Sequence, residues 1–136
     1  MRHIEIEPTY KSPRVILNPS EGQFKIEGKS VLVNVEEFYR PLLNWMDEFL
    51  EKPTTSKVEF TFDVEYFNLA STKRFLFFLF KLKQLKEKGV EVIVNWHYLN
   101  QDQYGLETGK DFAQMLELPF EFLGYEKLHA KEMNLN

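Results

Sequence analysis

The chain has 136 residues, 43% hydrophobic and 28% charged, which fits one domain able to bury a real core. Its formal charge of −4 and pI near 5.4 argue against a general nucleic-acid binder, which needs a basic field. The absence of cysteine excludes disulfides, thiolate zinc sites and a cysteine nucleophile. Arg2, His3, Glu5 and Glu7 break up any signal-peptide-like apolar run, and the longest wholly apolar run, residues 75–80, is too short to span a bilayer. The expectation is a cytoplasmic protein without membrane or nucleic-acid partners. It forms a single domain over residues 1–136, with an ordered core over about 3–125.

In chain order, residues 3–7 alternate through Ile4 and Ile6 and read as a short strand. Residues 14–17 and 23–27 are two more, joined by the turn-forming Asn18-Pro19-Ser20-Glu21-Gly22 into a β-hairpin. Gly28-Lys29-Ser30 ends that hairpin, and residues 31–35 are ambiguous. In Val35–Glu51, Phe38, Leu42, Trp45, Met46 and Phe49 recur at helical spacing, with Asn34 as a possible cap. Pro41 inside this pattern predicts a kink, or alternatively a helix beginning at Pro41. Residues 57–66 alternate again through Val58, Phe60 and Phe62, as a strand does.

A second helix is expected from about Ser71 to Lys88. Gly89 follows it as a stop signal. On its wheel Phe75, Phe78, Leu79, Leu82 and Leu85 share a face, while Leu76, Phe77 and Phe80 lie opposite with Lys73 and Gln84. That opposite side is either buried by a neighbouring helix or a docking surface. Residues 90–96 read as a strand covered on both faces, giving a strand–helix–strand crossover with parallel strands. Residues 97–102, beginning with His97 and Tyr98, then leave the strand at the edge where the preceding junction lies. A shorter helix over 106–116 and a last strand over 120–123 follow. Residues 128–136 are polar and read as a frayed end.

The chain turns on residues 64–73, where strand gives way to helix through Asn68, Ser71, Thr72 and Lys73. A helix start carries unpaired N–H groups and favours negative charge, so a phosphate on a hydroxyl or on a ligand suits it. The simpler reading is an N-cap that satisfies only its own backbone. No other chemistry stands out. His3, His97 and His129 lack metal-ligand spacing. There is no phosphate loop, dinucleotide fingerprint or serine elbow, and no carboxylate pair suggests acid–base work. Near the junction His97 reads as a packed or hydrogen-bonding residue. No catalytic residue, metal or cofactor is expected, and the chain is read as a non-enzyme.

Four segments carry a family resemblance over about residues 4–122. They are Gly28-Lys29-Ser30; Glu37-Phe38-Tyr39-Arg40-Pro41-Leu42-Leu43-Asn44-Trp45; Tyr66-Phe67-Asn68 with Ser71 and Lys73; and Trp96-His97-Tyr98 followed by Asp102, Glu107, Gly109 and Phe112. With the order β-β-β-α-β-α-β-α-β, they make the chain resemble the SiaC family of bacterial regulatory phosphoproteins, whose fold is of the STAS type of anti-sigma-factor antagonists. The resemblance implies an α/β fold: a mixed β-sheet with an N-terminal β-hairpin and about three packed helices. It also implies a non-enzymatic signalling module. Such proteins are phosphorylated on a hydroxyl at this junction by a partner kinase and dephosphorylated by a PP2C-type phosphatase. The unphosphorylated form binds a diguanylate cyclase and promotes cyclic-di-GMP synthesis, which favours biofilm growth.

The chain departs from the family pattern at that hydroxyl. After the asparagine the family has threonine-serine-serine, the threonine being the acceptor, whereas this chain has Leu69, Ala70 and Ser71. After Ser30 the family's tyrosine-proline-glutamate-asparagine becomes Val31, Leu32, Val33 and Asn34. Phosphoregulation is therefore expected to be lost, or moved to Ser71 or Thr72. The expected partner surface comprises Tyr66, Asn68, Lys73, Leu76, Phe77, Phe80, Trp96 and Tyr98. The alternative function is a small-ligand or anion sensor that uses the helix start and the Trp96–Tyr98 edge.

Overall fold

The computed structural model describes residues 2–127, and within them the chain lays down its sheet in sequence order. The elements are β1 (Ile4–Ile6), β2 (Arg14–Asn18), a short 3-10 turn (Pro19–Glu21), β3 (Gln23–Ser30), α1 (Val35–Glu51), β4 (Lys57–Phe67), α2 (Leu69–Glu87), β5 (Glu91–Leu99), α3 (Gln103–Leu116) and β6 (Phe120–Tyr125). The six strands pair as β1-β2-β3-β4-β5-β6. The first three form antiparallel pairs, as a hairpin sequence dictates, and the last three junctions are parallel. The mixed sheet, the N-terminal hairpin and the three α-helices agree with the expected fold class. The tail over 128–136, including His129, lies outside the described residues.

Parallel strands in sequential order need one crossover helix each, and crossovers share one hand. All three helices therefore land on the same face of the sheet. The strand alternation points its apolar set at them: Val58, Phe60, Phe62 and Val64 from β4, and Val92, Val94 and Trp96 from β5, are buried. The other face carries Lys25, Glu27, Glu59, Thr61, Asp63, Asn95 and His97, none of them buried. The core is largely aromatic. Phe24, Trp45 and Phe49 pack together, Phe60 joins Phe24 to Phe62 and Phe78, and Phe62 reaches Phe75 and Trp96.

Several element boundaries need correction, but not those of the first helix. It spans Val35–Glu51 as expected, with Pro41 inside it, so that the alternative start at Pro41 falls away. Asn34 caps it, with Oδ1 accepting from the Glu37 N–H at 3.1 Å. β3 does not end before Gly28 but continues to Ser30, through a register shift between Gly28 and Lys29. Gly28 pairs with Val64 and Lys29 with Tyr66, so β4 holds one extra residue there, the mark of a bulge. Gly28 has φ of 116°, a conformation side chains resist, which is why glycine stands at the bulge. α2 starts two residues earlier than expected, at Leu69, and α3 three residues earlier, at Gln103, because Asn68 and Asp102 cap them. β5 runs on through His97 and Tyr98 to Leu99, so these residues do not leave the sheet.

Candidate functional site

At the β4–α2 corner, Asn68 is pinned by three hydrogen bonds. Its Oδ1 accepts from the Ser71 N–H at 2.9 Å, its Nδ2 donates to the Leu32 carbonyl at 3.1 Å, and its own N–H donates to the Ser30 carbonyl at 3.1 Å. Asn68 therefore acts as the N-cap of α2 and also ties the helix to the end of β3.

Behind it lies a buried run of hydroxyls. Ser71 Oγ donates to the Ser30 carbonyl at 2.8 Å, and Ser30 Oγ donates to Ser71 Oγ at 2.7 Å. That leaves the Tyr39 hydroxyl to donate to Ser30 Oγ, at 2.6 Å. Every proton has an acceptor, which such deeply buried groups need. Ser30, Tyr39 and Ser71 are all fully buried. Burial pushes the Tyr39 phenol well above its ordinary pKa, against a smaller lowering by the Ser30 hydrogen bond. The network joins β3, α1 and α2. Ser30 and Tyr39 stand in the family-like segments, but without the fold nothing marked them as partners of Ser71, 41 positions from Ser30.

The two hydroxyls expected as phosphate acceptors are thus both engaged. Ser71 has no exposed surface, and Thr72 Oγ1, half-buried, donates to the Asn68 carbonyl at 3.1 Å. By contrast Leu69, the first residue of α2, is 80% exposed. Helical geometry puts Leu69, Lys73, Leu76, Phe77 and Phe80 in one stripe opposite Phe75, Phe78 and Leu82. Phe77 and Phe80 are 37% and 44% exposed, Lys73 is exposed, and Leu76 is half-buried against the core. Arg74 borders the stripe. Its guanidinium lies 5.8 Å from the Phe77 ring centre and binds Glu36 at 2.8 Å. Glu36 also binds Arg40 at 2.7 Å. These hydrogen bonds, to Arg40 and then to Arg74, hold the Glu36 carboxyl below the usual range.

The remaining expected surface residues fall elsewhere. The bulge turns Phe67 inward, onto Phe75 and Trp96, and leaves Tyr66 about half exposed between Lys29 and Lys127, whose Nζ atoms lie 5.6 and 5.2 Å from its ring centre. Trp96 belongs to no surface. It sits on the helix-facing side of β5, buried, with Nε1 donating to the Gly105 carbonyl at 2.9 Å. A Cβ on Gly109 would lie 2.5 Å from its ring, so the glycine is what lets α3 close over it. Tyr98 is half-buried over Gly124 of β6. His97, on the open face of the sheet, has Nδ1 3.3 Å from Asp63 Oδ2.

At the carboxyl ends of β4 and β5 lies an open cleft of about 370 Å³, lined by Tyr66, Phe67, Asp102, Tyr104 and Lys127; its lining includes neither the Asn68–Lys73 helix start nor the Trp96–Tyr98 edge on which the sensor alternative rests. Strand order never reverses, so no crevice opens between helices on opposite faces. Among the described residues no His, Asp and Glu side chains group as metal ligands, and no helix is long and apolar enough to cross a membrane.

Comparison with known proteins fits this geometry. No curated protein sequence matches the chain. Among solved structures, apo-SiaC from Pseudomonas aeruginosa superposes with a TM-score of 0.79 at 23% identity, covering 90% of this chain and 99% of its own. A chain from the crystal structure of the diguanylate cyclase SiaD in complex with its activator SiaC, from the same organism, gives 0.81 at 22% identity and covers 90% of this chain and 99% of its own. At such identities the likeness shows the fold. The sequence model of the SiaC family regulatory phosphoproteins matches residues 6–125. Nearly the whole described chain is covered by that match, and the chain therefore belongs to the SiaC family of regulatory phosphoproteins.

Proposed function

We propose that this chain is a cytoplasmic, non-enzymatic signalling module that docks a diguanylate cyclase through the outer stripe of α2, and that phosphate no longer controls this docking. The observation that carries the reading is Leu69: an apolar side chain, 80% exposed, at the first position of the helix. In the family this position bears the acceptor threonine. A phosphate there would add about two negative charges at the head of an apolar stripe and oppose docking by charge and desolvation. Leucine cannot be phosphorylated, and it extends the apolar surface of Phe77 and Phe80.

The kinase and PP2C-type phosphatase implied by the family then find no hydroxyl at the usual place. Phosphate on Ser71 would have to break two buried hydrogen bonds, which supports loss of control over its transfer to that residue. The Pseudomonas complex of a cyclase with its SiaC activator supports the choice of partner. The small-ligand alternative gains little from the open cleft, whose lining includes none of the residues it relies on.

The test is incubation with ATP and the partner kinase, read by intact mass and peptide mapping. The wild-type chain is expected to take up no phosphate and to activate the cyclase with or without kinase. The Leu69→Thr variant is expected to take one phosphate at position 69 and to lose activation when phosphorylated. Stoichiometric phosphate on Ser71 or Thr72 of the wild type would overturn the loss of control.

A further inference from the structure

The two edges of the sheet are built differently. β1 has three residues, carries Glu5, is followed by Glu7 and Pro8, and is tied up by Arg14, which binds Glu5 at 3.5 Å and Glu7 at 3.1 Å. Short length, charge and proline are the usual protections of a sheet edge. β6 is less protected: Pro119 precedes it and Glu126 and Lys127 follow, but within the strand only Glu121 is charged. It is six residues long, and Phe122 and Leu123 are 38% and 54% exposed.

The direction of its unpaired groups follows from its pairing with β5. Val94 N–H donates to the Pro119 carbonyl and Asn100 N–H to the Tyr125 carbonyl, both at the same parity in an unbroken parallel register. In a parallel ladder alternate residues bond one neighbour. Glu121, Leu123 and Tyr125 therefore bond β5, and Phe120, Phe122 and Gly124 aim their N–H and C=O groups away from the sheet. Among the described residues no strand meets them.

We propose that β6 pairs antiparallel with β6 of a second copy, extending the sheet across a two-fold axis. Only outward-aimed residues can exchange hydrogen bonds, so the register must match Phe120, Phe122 and Gly124 with themselves. Centring it on Phe122 engages all of them: Phe122 faces its counterpart on the axis, and Phe120 faces Gly124. The same register sets Glu121 opposite Leu123, so the strand's single charge meets an apolar side chain and not its own copy. A shift by one pair toward the amino end would bring Glu121 against Glu121 and lose hydrogen bonds. The strand is thus self-complementary in bonding, charge and aromatic contact.

Sedimentation velocity of the full chain across concentrations tests this, together with amide hydrogen exchange. The wild type is expected to double in mass as concentration rises, with the Phe122 and Gly124 amides becoming slow to exchange in step. Phe122→Lys, folded by circular dichroism, is expected to stay monomeric, while Leu69→Glu still dimerises. Three results would each overturn the proposal: a monomer at every concentration, a dimer lost in Leu69→Glu but kept in Phe122→Lys, or slow Phe122 and Gly124 amides in a monomer. The last would mean that the chain covers its own edge. The exchange measurement needs no variant, so it decides the matter even if Phe122→Lys fails to fold.

Discussion

Two strand-to-helix corners stand at the same end of the sheet and are closed in opposite ways. At the β4–α2 corner, Asn68 caps the helix and the hydroxyls of Ser30, Tyr39 and Ser71 are sealed behind it, while apolar Leu69 faces water. At the β5–α3 corner, Asp102 caps the helix through the Gly105 N–H at 3.0 Å, and an indole is sealed behind it, with polar Gln103 and half-exposed Tyr104 outside. The first corner inverts the usual order, polar inside and apolar outside. Such an inversion costs solvation on both counts, and in this chain it coincides with the surface proposed to dock a partner. The second corner follows the ordinary order and serves packing.

This contrast can be broken from the packing side first. Trp96→Ala removes a buried indole that touches Phe62, Phe67, Phe112 and Phe120, and should cost about 3–5 kcal/mol in urea unfolding. Its effect on cyclase activation, measured where the variant remains folded, should be small. A large loss there would mean that the α3 corner also binds.

Asn68→Ala removes the α2 cap and the bond to Leu32, and should cost about 0.5–2 kcal/mol. It should also weaken activation, since the outer stripe hangs from this helix start. Unchanged activation would detach the stripe from the corner.

The smallest effect sharpens the comparison. Tyr39→Phe leaves Ser30 Oγ without its incoming donor and should cost about 1 kcal/mol at neutral pH. It should also alter the alkaline limb. The folded-state pKa of Tyr39 is raised, so the folded chain holds that proton more firmly than the unfolded one. The resulting stability is complete below the ordinary tyrosine value of about 10 and is lost as pH rises beyond it. The variant should therefore lose less stability above pH about 10 than the wild type. Tyr125, raised first by its own burial and then by Asp63, keeps part of the decline in both. An alkaline limb unchanged by Tyr39→Phe would argue that the buried phenol ionises no less readily than a free one.

Much of the fold was legible in the sequence because its cues are local. The alternation in β4, the stripe of Phe75, Phe78, Leu79, Leu82 and Leu85, and the hairpin turn at residues 18–22 need no distant partner to be read. The misplacements turn on contacts distant in sequence. In the sequence the strand pattern ends at Trp96, and Trp96 and Tyr98 count in the expected partner surface. Only pairing with β6 carries β5 on to Leu99, and only Gly109 lets α3 cover the indole. The family-like Tyr66-Phe67-Asn68 segment puts Tyr66 in one expected surface with Asn68, and the bulge opposite Gly28 separates it from the α2 stripe.

The sequence by itself determined the order of the elements, the buried face of α2 and a leucine, not a hydroxyl, directly after Asn68, since each is written in residue type and spacing. The tertiary structure alone decided which hydroxyls are accessible. Ser71 and Thr72 are adjacent in sequence, yet Ser71 lies in a sealed network with groups from β3 and α1 and Thr72 folds back on its own helix cap. Exposure of a side chain depends on what the rest of the chain brings against it, and no local pattern records that.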